Sequence, residues 1–334
     1  MTTPRTIRAR AWVARVFAVA ALAIAMGPIE RIHAQTYPNT TIKLVVPFGP
    51  GGPTDVAARL VAQIVQSALG QNVVIENRPG AGGATGSKSV ATADPDGYSL
   101  LVGTSATLGV VPALQKNPGY DPIKSFAPVA KIADSTLVLV VPANFPANSV
   151  REFVAYAKAN PGKLSYASAG TGNQTQLLAE LFKSKAGIDV VHIPYKSGAE
   201  MVTAILGEQV HMAFPDISIL IPLIREGKLK ALAVTSAARH PQLPDIPTMI
   251  EGGIPDYVMT FWSGVVAPAG TPASAIEKLN AAINDGLKSP RVQETLAKVG
   301  AQTNPGSPQD FANFIASETR KWSAVAKVSG INFE

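Results

Sequence analysis

The residues of this chain that could do chemistry are small donors grouped in glycine-rich stretches that follow apolar runs. The first such stretch places Gly51 and Gly52 just before Thr54 and Asp55, directly after an apolar run that ends in Phe48. Glycine lets the backbone approach a ligand closely, and Thr and Asp are favoured where helices begin. Because a helix N-terminus presents unpaired N–H groups and a positive dipole end, this stretch predicts an anion site.

Similar donors follow three later apolar runs. They are Thr104, the segment from Ser168 to Asn173 that includes Thr171 and Gly172, and Asp216. In open α/β sheets the ligand crevice lies beyond the carboxyl ends of the strands, so these loops are expected to meet. Converging hydroxyl and N–H donors with few cations suit a small carboxylate, and the sequence therefore predicts one carboxylate site built from several loops.

A further glycine stretch, residues 80–89, does not fit a nucleotide site. A phosphate-binding loop needs Lys after its last glycine, whereas Gly86 is followed by Ser87. The dinucleotide fingerprint fails as well, because its third glycine would fall on Thr85. We interpret this stretch as a tight turn.

Ser168 raises the alternative of a serine hydrolase. Residues 166–170 resemble a nucleophile elbow, but Tyr166 stands where the first glycine of that motif belongs. Beyond residue 34 the chain has three histidines, His192, His211 and His240, two of them in strand-like runs. We therefore predict that the chain is not an enzyme and has no catalytic residue, with a hydrolase using Ser168 as the alternative.

Composition excludes several other classes. The chain has no cysteine, which excludes disulfides, thiol nucleophiles and thiolate metal sites. No pair of histidines has helical ligand spacing, and no loop matches a calcium hand. We predict neither a metal nor a cofactor.

The N-terminus has the pattern of a secretory signal peptide, residues 1–34. Four arginines precede an apolar run over residues 16–27, and Ala34 lies at a plausible cleavage point. That run is shorter than the roughly 20 residues a spanning helix needs. Beyond residue 34 the chain keeps 24 basic and 22 acidic residues, so its basic balance does not indicate a nucleic-acid partner. The absence of an anchor favours a periplasmic protein.

The elements that must position these loops alternate between strand and helix along most of the chain. That alternation predicts α/β architecture with mixed, mostly parallel sheets flanked by helices. A strand, a glycine loop and a helix occur in this order at Gly49 and again at Ser168. This repetition predicts two similar lobes that face each other across a ligand cleft.

Several motifs together resemble one known family. They are V-V-P-F-G-P-G-G-P-T-D from Val45, N-R-P-G-A-G-G-A-T-G from Asn77, D-G-Y from Asp96, L-P-D-I-P-T from Leu243, and A-P-A-G-T-P from Ala267. Each motif is weak alone, but the combination spans residues 37–334. It is similar to the solute-binding proteins of tripartite tricarboxylate transporters, the Bug or TctC-like family.

The resemblance implies a two-lobed periplasmic-binding-protein fold that closes on a small carboxylate, aliphatic or aromatic, and delivers it as a monomer to membrane transporter subunits. Lobe one would comprise residues 35–138 and 262–334, and lobe two residues 139–261. A chemosensory role for the same ligand class is a second alternative. Carried over by position, the ligand-binding residues are Phe48, Gly51, Gly52, Thr54 and Asp55 on lobe one, and Ser168, Thr171, Gly172 and Asn173 on lobe two, with Asp216 nearby.

Two positions bear on ligand choice. Family members often have His where this chain has Gln176, and losing an ionisable imidazole either changes the ligand or is neutral. Phe48 and Trp262 either stack on an aromatic acid or simply pack in the core.

Overall fold

A computed structural model describes residues 37–331 of the chain. The predicted signal peptide and its cleavage near Ala34 lie outside the described residues. Contacts divide the chain into Met1–Asn39 and Thr40–Glu334. Of the first unit only residues 37–39 are described, without helix or strand, and all the elements given below belong to the second unit.

Eleven strands are found among the described residues. In chain order they are β1 (Ile42–Val46), β2 (Val73–Asn77), β3 (Ser99–Thr104), β4 (Phe126–Thr136), β5 (Val138–Pro142), β6 (Leu164–Ser168), β7 (Val190–Pro194), β8 (Met212–Ala213), β9 (Leu229–Val234), β10 (Thr260–Pro268) and β11 (Ala301–Thr303). They form a six-stranded sheet in the order β11-β4-β10-β3-β1-β2 and a five-stranded sheet in the order β7-β6-β8-β5-β9.

The helices of the described residues flank these sheets. They are α1 (Pro53–Leu69), α2 (Ala84–Ala91), α3 (Val111–Leu114), α4 (Val150–Ala159), α5 (Gln174–Ala186), α6 (Gly198–Leu206), α7 (Ile217–Arg225), α8 (Ala273–Leu287), α9 (Pro290–Lys298) and α10 (Pro308–Ser329), with a 3-10 turn at Ala81–Gly83 before α2 and a π-helical turn at Ala106–Val110 before α3. None of them is long and apolar enough to cross a membrane.

The chain passes between the two sheets at two points. It leaves the six-stranded sheet at Thr136, enters the five-stranded sheet at Val138, and returns between Val234 and Thr260. Each sheet with its helices is one lobe, so the predicted two-lobed α/β fold is confirmed. The exact lobe boundaries stay a prediction.

Strand pairing is less parallel than the sequence predicts. β1 and β6 are each parallel to both of their neighbours. By contrast, β10 runs antiparallel to β3 and β4, and β5 runs antiparallel to β8 and β9. Each antiparallel pair includes a strand next to one of the two crossings, which are β4, β5, β9 and β10. The parallel pairs come from the strand–loop–helix units.

The last helix, α10, joins the cores of both lobes. Trp322 on α10 is fully buried in the cluster that holds Phe182 and Phe214 of the second lobe. One turn earlier, the carboxylate of buried Glu318 accepts the indole N–H of Trp262 at 2.9 Å and that of Trp322 at 3.2 Å. Because Trp262 belongs to β10, this carboxylate connects the first sheet to the helix that packs on the second lobe.

Candidate ligand site

A cavity of about 550 Å³ lies between the lobes, at the carboxyl ends of β1 and β6. Seven of the predicted site residues line it: Phe48, Gly52, Thr54, Thr171, Gly172, Asn173 and Asp216. Gly51, Asp55, Thr104 and Ser168 are outside the lining. The structure thus brings together the two glycine loops that the sequence singles out, and it leaves four of the predicted residues out of the cavity lining.

Asp55 braces the first loop. Its carboxylate is buried and accepts the Gly51 N–H at 3.1 Å, the Arg59 Nε–H at 2.8 Å and the Asn77 amide at 3.0 Å. The Asn77 amide also donates to the carbonyl of Phe48 at 3.0 Å. These bonds fold residues 48–51 back over the start of α1, and Gly51 has the left-handed φ of +84° that glycine tolerates best.

The same contacts set the charge of Asp55. Hydrogen bonds from Arg59, Asn77 and Gly51 outweigh burial and lower its pKa to about 2. Asp55 is therefore a carboxylate at neutral pH, and its partners belong to its own loop and helix and to the end of β2. This explains why a residue predicted to touch the ligand lies behind the cavity.

The glycine stretch of residues 80–89 packs against the first loop. A Cβ on Gly83 would lie 2.6 Å from Thr107 and 3.3 Å from the ring of Phe48, and one on Gly86 would lie 2.8 Å from the carbonyl of Arg78. Only glycine permits this close approach. The predicted tight turn therefore packs against the ring of Phe48, and Gly82 in this turn lines the cavity.

The loop between β6 and α5 forms the opposite side of the cavity. Asn173 caps α5 by accepting the Thr175 N–H at 2.9 Å, and the Thr175 hydroxyl accepts the Ala169 N–H at 2.9 Å. Gln176 accepts the Gly172 N–H at 2.6 Å. The loop is thereby fixed by the first turn of the helix that follows it, with Thr171 and Asn173 exposed.

Ser168 is paired with His192, which the sequence interpretation did not anticipate. Its hydroxyl oxygen lies 2.6 Å from Nε2 of His192, whose Nδ1 lies 3.1 Å from the Gln176 amide nitrogen. Because the Gln176 oxygen is committed to Gly172, its NH₂ donates to Nδ1, and the imidazole proton resides on Nε2. Burial lowers the pKa of His192, which favours this neutral ring.

This arrangement is the reverse of a serine hydrolase. There the imidazole Nε2 accepts the serine proton and a carboxylate holds Nδ1. Here Nε2 donates to Ser168, the group at Nδ1 is an amide, and Ser168 is fully buried behind its loop. The Ser168–His192–Gln176 chain is a brace for the second loop.

Several donors at the cavity have no acceptor within residues 37–331. They are the N–H of Gly52, the hydroxyls of Thr54 and Thr171, and the side-chain NH₂ of Asn173. No Lys, Arg or His is found among the lining residues of the described chain. An anion in this cavity would therefore be held by neutral donors and by the N-termini of α1 and α5.

The remaining lining is mainly apolar and was missed from the sequence. Its apolar side chains include Ala106, Val110, Val111, Leu137, Met201, Ile219 and Phe261. Trp262 is fully buried and donates its indole N–H to Glu318, so of the two alternatives for this residue the structure shows packing in the core. Successive strand residues point to opposite faces, and it is the neighbour Phe261 that meets the cavity.

Thr104 and Asp216 complete the predicted set. Thr104 is fully buried and exchanges hydrogen bonds with Thr107 of the π-helical turn. Asp216 caps α7 and accepts the hydroxyl of Ser135 at 2.5 Å. Asp216 lines the cavity, whereas Thr104 lies outside it and stabilises the turn after β3.

Comparison with known proteins gives the same family as the sequence motifs. The model of the tripartite tricarboxylate transporter family receptor matches residues 57–331. Protein BugT of Bordetella pertussis is 38% identical over 318 residues, covering 95% of this chain and 98% of BugT. The predicted family resemblance is confirmed.

Two solved structures similar to this chain contain a bound ligand. Rpa4515 of R. palustris with adipate has a TM-score of 0.77 and 35% identity, covering 89% of this chain and 99% of that one. MatC of Rhodopseudomonas palustris with bound malate has a TM-score of 0.73 and 34% identity, covering 86% and 99%. Both are binding proteins with a small carboxylate, and the family is one of solute receptors, not of enzymes.

Proposed function

The chain belongs to the tripartite tricarboxylate transporter family of receptors, and we propose that it captures a small organic carboxylate in the periplasm and delivers it to membrane transporter subunits. In this proposal residues 1–34 are an export signal cleaved near Ala34, and the mature chain acts as a monomer. The family membership and the adipate and malate bound by two relatives support it.

One observation carries the ligand class. One cavity is lined by Gly52 and Thr54 of the first loop and by Thr171 and Asn173 of the second loop. Each of these residues carries a hydrogen-bond donor that has no acceptor within residues 37–331. Donors from both sides match an anion with two oxygens, and each hydrogen bond to a charged group is worth about 1.5–3 kcal/mol. An acid held by both loops would favour the closed arrangement of the lobes by its differential affinity.

Thermal unfolding of ligand-stripped mature chain tests capture. We expect at least one member of a panel of mono-, di- and tricarboxylates, aromatic acids included, to raise Tm in proportion to the logarithm of its concentration. A panel without any such shift would contradict capture of a carboxylate. Uptake of the active acid by cells with and without this chain then tests delivery, and unchanged uptake with altered swimming toward the acid would favour sensing.

A further inference from the structure

Asp216 is the one charged side chain in the cavity lining of the described residues. Its Oδ1 accepts the N–H of Ser218 at 2.9 Å and its Oδ2 accepts the hydroxyl of Ser135 at 2.5 Å. A carboxylate has about four acceptor sites, so both oxygens retain capacity for a further donor. The residue is thus an acceptor inside a cavity that otherwise offers donors and apolar surface.

No Lys or Arg of residues 37–331 forms an ion pair with Asp216. The ionisable neighbour that acts on it is His240, whose own pKa is lowered by burial so that the ring is neutral. Burial also raises the pKa of Asp216, which shows that its charged form is penalised in this position. A buried carboxylate is usually compensated by a cation, and here the protein supplies only hydrogen-bond donors.

The position of Asp216 separates it from the exposed rim of the second loop. It is bridged to buried Leu137 at the point where the chain crosses between lobes, whereas Thr171 and Asn173 are exposed at the rim. The apolar side chains of Val110 and Ile219 also line the cavity. A ligand that contacts both regions has a polar group for each and an apolar body.

From this arrangement we propose that the chain selects a carboxylate whose opposite end carries a hydrogen-bond donor, an ammonium in preference to a hydroxyl, which Asp216 accepts. This inference rests on the proposed capture of a carboxylate. A second carboxylate at the same place would face the charge of Asp216, and like charges brought together at a binding surface weaken binding. Diacids are therefore disfavoured in this chain.

Calorimetry on ligand-stripped protein at pH 7.5 tests the inference with probes that differ only at one end. The aliphatic series is 6-aminohexanoate, 6-hydroxyhexanoate, hexanoate and adipate. The aromatic series is 4-(aminomethyl)benzoate, 4-(hydroxymethyl)benzoate, 4-methylbenzoate and terephthalate. In the series that fits the cavity we expect affinity to fall in the order given, with the ammonium compound at least about tenfold tighter than the diacid.

The variant Asp216→Asn assigns the preference to this side chain. Asparagine keeps an oxygen that can cap α7, so the fold is retained. The ratio of the affinities for the ammonium compound and the diacid should fall by about tenfold or more. The matched control Asp245→Asn removes an exposed carboxylate of the same lobe and should leave the order unchanged. The end-group order in the unmodified chain remains a test even where the variant folds poorly.

The outcomes separate this inference from the function on which it rests. A diacid that binds as tightly as the ammonium compound overturns the inference and leaves carboxylate capture intact. A preference that persists in Asp216→Asn also overturns it. If neither series binds but another acid of the thermal panel does, the inference is wrong, and if no acid binds, the proposed function falls with it.

Discussion

At the scale of single residues, the cavity separates groups that face a ligand from groups that shape the loops. Thr54 and Thr171 line the cavity, whereas Asp55 and Ser168 form hydrogen bonds with the backbone and side chains around them. The sequence places all four in the right loops. It cannot tell the two roles apart, because a side chain that caps a helix and one that binds an anion are of the same type.

The variant Thr54→Val tests the ligand-facing group. Valine has nearly the same shape, so the loop should keep its conformation while the hydrogen bond to the bound acid is lost. We expect about 10- to 100-fold weaker binding of the best acid from the thermal panel, measured by calorimetry, with little change in Tm. Thr203→Val, on the exposed face of α6, is the matched control, and equal affinities in all three proteins would remove Thr54 from the site.

The variant Asp55→Asn tests the brace. Its folded pKa of about 2 lies below the reference value of 3.8, so its contribution to stability is present above about pH 4 and is lost as pH falls toward 2. Because Arg59 is half exposed, we expect a loss of only about 1–2 kcal/mol at pH 7. Urea unfolding at several pH values should show the difference from the unmodified chain shrinking below pH 4, and a constant difference would contradict this role.

At the scale of elements, helices with clear caps are well predicted. Amphipathic spacing in the sequence predicts a tail helix over residues 308–328, and α10 is found at Pro308–Ser329, with a capping box of Ser307 and Asp310 at its start. The sequence predicts this strand only over residues 126–132, because Asp134 and Ser135 end its apolar pattern, whereas β4 continues to Thr136. Pairing with β10 and β11 extends the strand through them, and such long-range pairing is not visible in one sequence.

The start of α5 is the element that positions the second loop, and Gln176 is its central contact. In Gln176→Leu the N–H of Gly172 and the ring of His192 lose their partner, at a cost of about 1–3 kcal/mol. We expect a lower Tm, faster amide exchange at Gly172 and weaker acid binding. Gln209→Leu changes an exposed glutamine in the same lobe and serves as control, and unchanged exchange at Gly172 would exclude the brace.

At the scale of the whole molecule, the two lobes are in contact through buried polar groups as well as through the crossing strands. The Ser105 hydroxyl donates to the Gln174 side chain at 2.8 Å, and the amide of Gln174 donates to the carbonyl of Thr260 at 3.1 Å. The two-lobed fold was predictable from repeated strand–loop–helix units. These contacts were not, because they join residues distant in sequence.

Closure of the lobes is the prediction at this scale. A ligand that touches both loops favours the closed state by its differential affinity. Small-angle scattering should therefore give a smaller radius of gyration with a saturating acid than with the ligand-stripped chain. The Thr54→Val protein at the same acid concentration should change less, and identical curves for the unmodified chain in both conditions would contradict closure.

The central claim is that both glycine loops hold a carboxylate through neutral donors. Calorimetry that compares the best acid of the panel with its primary amide tests it most directly, because the two differ only in the group that the loops should recognise. We predict that the acid binds at least about tenfold tighter than the amide and that the combined change Thr54→Val and Thr171→Val abolishes the difference. An amide that binds as tightly as the acid would contradict the claim.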